Sequence, residues 1–188
     1  AGDSGTSGTS GTDGTNGASG VSANNANYAQ YLNKKTEGLS SGTLTQDTWV
    51  TRTINTEAVD NIGISLSSNV MTVPAGTYYC KFWANGYHCD AHQAALEETY
   101  GTDTILIRGS SEYARSDDEY AATTSRGEGT FTLAQSTAIE LIHIVGSTSS
   151  SHGQGRRVYT SSSGDVNTNL TYADNEVYCS VEFWKVNT

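Results

Sequence analysis

The chain has 188 residues and a formal charge of −10, from 20 acidic against 10 basic side chains, with a pI near 4.6. That balance excludes a nucleic-acid partner, because gripping phosphates takes a basic face that releases counterions. No apolar run reaches the roughly 18 residues of a membrane-spanning helix, so no membrane partner is expected either.

In chain order, the first segment is GDSGTSGTSGTDGTNGASGVS, with Gly2, Gly5, Gly8, Gly11, Gly14, Gly17 and Gly20 at every third position and no proline. A strict period of three is what three extended chains crowding one axis demand, since no side chain fits there. Residues 1–22 are therefore read as a collagen-like G-x-y stalk. Without proline to pre-set its backbone, the stalk depends on a trimeric head that holds three chain ends together and raises their local concentration. A flexible Gly/Ser/Thr linker is the alternative, but a linker has no reason to count in threes. No basic, then apolar leader is seen here, so no signal peptide is expected. Residues 23–47 are polar and weakly patterned and are read as a neck, with Tyr28, Tyr31 and Leu32 packing on a neighbouring chain.

From Thr48 the grammar changes to short runs rich in Val, Ile, Thr, Tyr and Trp, which suit a pleated, half-buried surface. They are TWVTRTI, GISLSS, VMTV, TYYCKFWA, TILIRG, GTFTL, AIELIHIV, RRVYT and VYCSVEFWKV. In the last, alternation puts Val177, Cys179, Val181 and Phe183 on one face; in TYYCKFWAN it groups Tyr78, Cys80, Phe82 and Ala84. Turn signals stand at Pro74–Gly76, Asn85–Gly86 and Ser161–Asp165. The only passable helix is AHQAALEET, Ala91–Thr99, which reads equally as a strand. Many short strands with regular turns define an all-β antiparallel sandwich or jelly roll over residues 48–188. Trp49, Tyr78, Phe82, Phe131, Val181 and Phe183 are the expected core and trimer-packing residues.

A G-x-y segment followed by such a domain resembles the C1q/TNF-like family. The resemblance rests on VMTVPAGTYYCKFWANGY (Val70–Tyr87), GTFTLAQSTAIELIHI (Gly129–Ile144) and EVYCSVEFWKV (Glu176–Val186). DTWVTRTINTE, SSEYA (Ser110–Ala114) and the proline-free repeats look like bacteriophage tail-fibre and capsid-surface domains. The resemblance implies an antiparallel jelly-roll head, a homotrimer, and a strand holding Cys80 beside the strand holding Cys179. Both cysteines then sit on inward faces as near neighbours. A chain assembled in a reducing cytosol keeps them, and Cys89, as thiols.

No constellation for catalysis stands out. YHCDAH gathers His88, Cys89, Asp90 and His92, but no second ligand pair completes a zinc site, and polar residues at a strand end are the plainer reading. Asp117, Asp118 and Glu119 suit Ca²⁺, a hard cation that takes oxygen ligands, or simply a solvated acidic turn; otherwise no cofactor is expected. No G-x-S-x-G elbow or phosphate loop occurs. His143 alternates with Leu141 and Val145 and reads as a core histidine. Gly146–Asn175 is long enough to be functional or disordered. Within it Arg156, Arg157, Tyr159 and Tyr172 are the expected ligand contacts, since such aromatics stack on sugar faces while amide and hydroxyl groups bond their hydroxyls.

The sequence thus reads as a non-enzymatic, homotrimeric fibre or decoration protein on a virion surface, most simply a phage. Other virion proteins are its expected partners at the stalk, and host surface glycan at the head. A bacterial or spore-surface collagen-like adhesin, extracellular or on the cell surface, is the first alternative. A polysaccharide-degrading enzyme is the second, and it requires paired carboxylates in a cleft.

Overall fold

A computed structural model describes residues 27–36, 38–99, 103–118, 121–156 and 175–186. The collagen-like glycines, Glu119, Arg157, Tyr159 and Tyr172 lie outside the described residues. Within them every regular element is a strand. In order these are β1 (Tyr28–Thr36), β2 (Val50–Thr51), β3 (Thr56–Asp60), β4 (Ser65–Ser67), β5 (Val70–Val73), β6 (Gly76–Tyr87), β7 (Asp90–Glu98), β8 (Thr104–Ala114), β9 (Ala122–Leu133), β10 (Thr137–Val145) and β11 (Asn175–Val186).

Two antiparallel sheets pack face to face. One runs β3-β1-β11-β6-β9; the other runs β4-β5-β10-β7-β8, with β2 pairing the far half of β10. Alternation drives the packing, because strand side chains point to opposite faces by turns. Ala29, Tyr31, Tyr78, Cys80, Phe82, Phe131, Val181 and Phe183 face inward from the first sheet. Met71, Val73, Ala94, Leu96, Ile107, Ile139 and Leu141 meet them from the second. Tyr78 carries the aromatic centre, with ring centroids 5.9 Å from Phe131 and 6.3 Å from Phe183. Its hydroxyl donates to the Pro74 carbonyl at 2.9 Å, so its polar end is satisfied.

Five of the six expected core residues are therefore core. Trp49, expected in the core or at a trimer contact, lies outside the core of the single chain: it is 37 % exposed, with the Arg108 guanidinium 5.9 Å from its ring centre. The segment that follows alternates with Arg52 and Ile54 inside, which leaves the odd position outside.

Two other expectations are corrected, and one left open between helix and strand is decided. Tyr28–Thr36, read as neck, is β1, inserted between β3 and β11; Tyr31 is wholly buried in its own chain and donates its hydroxyl to the Ile64 carbonyl at 2.8 Å. Asn85–Gly86 is no turn but the interior of β6; the reversal comes at His88–Cys89, with His88 and Asp90 at positive φ. Ala91–Thr99 resolves to a strand, because β7 is hydrogen-bonded between β10 and β8 and tertiary pairing overrides its Ala- and Glu-rich composition.

Cys80 and Cys179 do lie on paired strands with inward side chains. Yet Cys179 stands opposite Ala84 and Cys80 opposite Phe183, so they are not neighbours. All three cysteines are buried free thiols.

Candidate functional site

The apolar rows stop before one end of the sandwich does. Beyond Ala94 and Leu141 the next inward positions on β7 and β10 are His92 and His143, which are 3 % and 0 % exposed. Arg52, wholly buried, enters from the segment after β2. Its Nη1 donates to the Asn85 carbonyl at 2.7 Å and to His143 Nδ1 at 3.2 Å. Its Nη2 donates to the Gln154 carbonyl at 2.7 Å and the Tyr178 carbonyl at 3.0 Å. Nε has no partner.

From Arg52 the bonding continues outward. His143 Nε2 lies 2.9 Å from His92 Nδ1, and His92 Nε2 lies 2.7 Å from the Thr123 hydroxyl. Guanidinium only donates, so His143 Nδ1 must accept and its proton sits on Nε2. His92 Nδ1 then accepts in turn, and its own Nε2–H points to Thr123. One arginine thereby fixes both tautomers, with both rings neutral. Burial holds the His143 imidazolium well below its usual range, and Arg52 and His92 add to this. Burial likewise pushes His92 down to about 4; Glu112, opposite it on β8, pulls the other way, and Arg52 again lowers it.

This network closes over a small second core of Leu44, Cys89, Ala114 and Val145. Gln154 seals it by accepting the Thr53 amide at 3.2 Å, and the Gln154 and Ser41 amides tie the same turn to Gly42 and Gly155. Gly155, at φ 142°, lies flat beneath the Tyr178 ring, where any side chain would overlap the aromatic carbons.

The expected ligand contact Arg156, partly buried, is engaged within the chain and packs on the buried Tyr87. Its guanidinium lies 5.2 Å from the Tyr87 ring centre and bonds the Tyr87 hydroxyl. Tyr87 also stacks on His88 at 5.3 Å and meets the edge of His152 at 5.2 Å. The structure thus groups Arg156 with Tyr87, His88 and His152. The acidic turn is built differently: Arg115 pairs with Asp117, and Asp90 accepts the Ser116 amide and hydroxyl, each at 2.9 Å. Among the described residues no three of His, Cys, Asp and Glu converge as metal ligands.

Sequence reasoning placed His143 inside but missed Arg52 and Gln154. A signal existed: in TWVTRTI the period of two puts Arg52 on the inward side with Ile54.

The outer face of the five-stranded sheet forms ordered rows. Tyr28, Trp184 and Tyr79 stand side by side, with ring centroids 5.0 and 5.7 Å apart. The next row reads Gln30, Glu182, Lys81, Glu128; Tyr28 donates to Glu182 at 3.0 Å and Tyr79 to Glu128 at 2.9 Å.

No family model matches the sequence, and no curated sequence matches it significantly. Solved structures do resemble the fold. Murine APRIL at pH 5.0 aligns over 85 % of this chain and 98 % of its own, at 12 % identity and a TM-score of 0.50. The Eiger TNF of S. frugiperda aligns over 85 % and 92 %, at 11 % identity and a TM-score of 0.50. The globular domain of zebrafish complement 1qA gives 86 % and 98 %, at 13 % identity and a TM-score of 0.49. With two antiparallel sheets in this order, the described domain is a C1q/TNF-like jelly roll.

Proposed function

We propose that this chain is a non-catalytic, trimeric structural protein of a virion surface, a bacteriophage fibre or capsid decoration subunit whose jelly roll is a displayed head. The observation that carries the reading is one chain combining an unbroken glycine period over residues 2–20 with a C1q/TNF-like domain. The period makes sense only where three chains share an axis, and the head is the element able to hold them there. The row of Tyr28, Trp184 and Tyr79 supports self-association, since aromatics with a polar tip are the residues enriched where two protein surfaces meet.

The register of β1 supports display of the opposite end. The chain enters at Tyr28, beside Trp184, and leaves at Thr36, beside Asn175. On this reading a stalk ahead of Tyr28 meets the sandwich at one end, while Tyr87 and the Arg156 bonded to it lie at the other. Host surface glycan is the ligand we assign to that far end, where aromatic, guanidinium and imidazole groups adjoin; three copies convert weak sugar contacts into avidity.

Sedimentation of the full chain at micromolar concentration tests the assembly, with a trimer expected and a monomer refuting it. Trp184→Arg is expected to split the trimer into folded monomers. Adhesion is tested by Arg156→Ala with Tyr87→Phe: an intact trimer that no longer binds host cells supports display, whereas unchanged binding leaves decoration alone.

A further inference from the structure

The guanidinium of Arg52 grips two carbonyls at the two stems of the connection between β10 and β11: Gln154, nine residues past the end of β10 at Val145, and Tyr178, near the start of β11. Both grips come from one nitrogen, Nη2. The other, Nη1, is held in place by His143 and Asn85. The position of both stems thus depends on His143 accepting a bond, and His143 in turn depends on His92.

We propose that Arg52, His143, His92 and Thr123 form an acid-sensitive clamp on the stems at Gln154 and Tyr178, which opens when either histidine takes up a proton. The argument is one of bonding directions. A protonated imidazole has two donors and no acceptor. Protonating His143 turns Nδ1 into a donor facing the Arg52 Nη1 donor at 3.2 Å, with two cations in contact inside the protein. Protonating His92 turns its Nδ1 into a donor facing the His143 Nε2 donor at 2.9 Å. The His92 ring has no room to swing to a new partner: it presses against Gly86 so closely that even a β-carbon there would overlap it.

The charged and titratable groups around the chain favour this behaviour. Arg52 comes in from the segment after β2, His143 from β10, and Glu112 stands opposite His92 on β8, the carboxylate among the described residues that acts on that ring. β6 and β9 offer Asn85, Gly86 and Thr123, none of them ionisable. The Cys89 and Cys179 thiols act on Arg52, and burial keeps both protonated. His92 also lines a shallow surface depression with Asp47, Gln93 and Gly146, which gives protons a way in. The sign follows: each ring binds its proton more readily once released, so the clamped state loses weight as pH falls from about 6.5, by up to about tenfold per pH unit for each histidine.

The test uses the full chain. Nitrogen-15 spectra of the histidine rings are expected to show His92 and His143 neutral with the proton on Nε2 at pH 7, and His92 still neutral at pH 5.5. A His92 that titrates near 6.5 in the folded protein overturns the clamp. Hydrogen exchange, corrected for intrinsic rates, is expected to rise at 152–156 and 178–180 between pH 7 and 5 while the β6–β9 amides stay protected. Exchange that rises equally everywhere overturns local opening. His92→Gln, which keeps an amide donor and acceptor but cannot titrate, is expected to weaken the acid response at the stems to the part that His143 alone carries; a response in the variant equal to the parent's overturns the assignment. Should that variant fail to fold, the ring titration and exchange of the parent chain decide alone.

Discussion

Cys80 faces Phe183, and Cys179 faces Ala84, across the same pair of strands. Four register positions separate the two sulfur-bearing residues, about 13 Å at the usual rise per residue. A disulfide needs Cα atoms within about 7 Å, so this pair cannot close without sliding β6 past β11.

Burial also raises all three thiols, Cys80 well above its ordinary value and Cys89 to about 12. The reactive thiolate is correspondingly scarce. Native protein is expected to resist alkylation at all three positions, and denatured protein to take up three labels without prior reduction. A Cys80–Cys179 bridge in non-reducing mass spectrometry refutes this.

Residues 28–36 supply a strand, and truncation distinguishes a strand from a neck. A chain beginning at residue 24 is expected to keep the fold. One beginning at Thr48 loses Ala29 and Tyr31 from the core, strips β3 of its partner and bares the edge of β11. It is expected to be insoluble or to lack a cooperative melt; a soluble, cooperatively melting fragment from Thr48 contradicts the strand's role.

Gly127 faces Phe82 across β6 and β9, and an added β-carbon there would overlap the far end of the ring. Gly127→Ala forces Phe82 off its place in a close-packed interior. The expected loss is about 1–3 kcal/mol, read as a lower denaturant midpoint at unchanged slope. Gly63→Ala is the contrast, since no atom lies within 4 Å of its would-be β-carbon and only its φ of 79° opposes the change.

Alkaline pH loosens the fold through its tyrosines. Burial raises Tyr28 to about 12, and the bond to Glu182 adds to it; Tyr31 and Tyr78 are raised too, chiefly by burial. Unfolded tyrosine ionises near 10, so between pH 10 and 12 the unfolded chain releases protons that the folded chain retains. Stability is full below pH 10 and falls above it. Tyrosinate absorbance is expected to rise together with unfolding, and Tyr28→Phe to delay both; a rise well before unfolding refutes it.

Much of this fold was legible in the sequence because its inner strands obey a period of two. β5, β6, β10 and β11 follow from VMTV, TYYCKFWA, AIELIHIV and VYCSVEFWKV, and so do Tyr78, Phe82, Val181 and Phe183. β1 escaped because Asn33 occupies an inward position, where it donates to the Ser41 hydroxyl and looks polar only in isolation. The Asn-Gly pair misled for a related reason: Gly86 serves the approach of a histidine ring from another strand, a need that no local pattern reveals. The candidate site was legible only in part. His143 and Arg156 were visible, but that Arg52 joins Asn85, Gln154 and Tyr178 is a fact of the assembled topology, set by residues up to 126 positions away.

β11 lies between β1 and β6, and Tyr28 reaches Glu182 across 154 positions of chain. Seen in time rather than space, the five-stranded sheet waits as two fragments, β3–β1 and β6–β9, until its final member is synthesised. Closing so large a loop before any contact repays it makes folding slow. Meanwhile the facing edges of β1 and β6 stand open to strands of other chains. Crowding of nascent chains is thus a hazard that ends for each copy only when Val181 and Phe183 enter the gap.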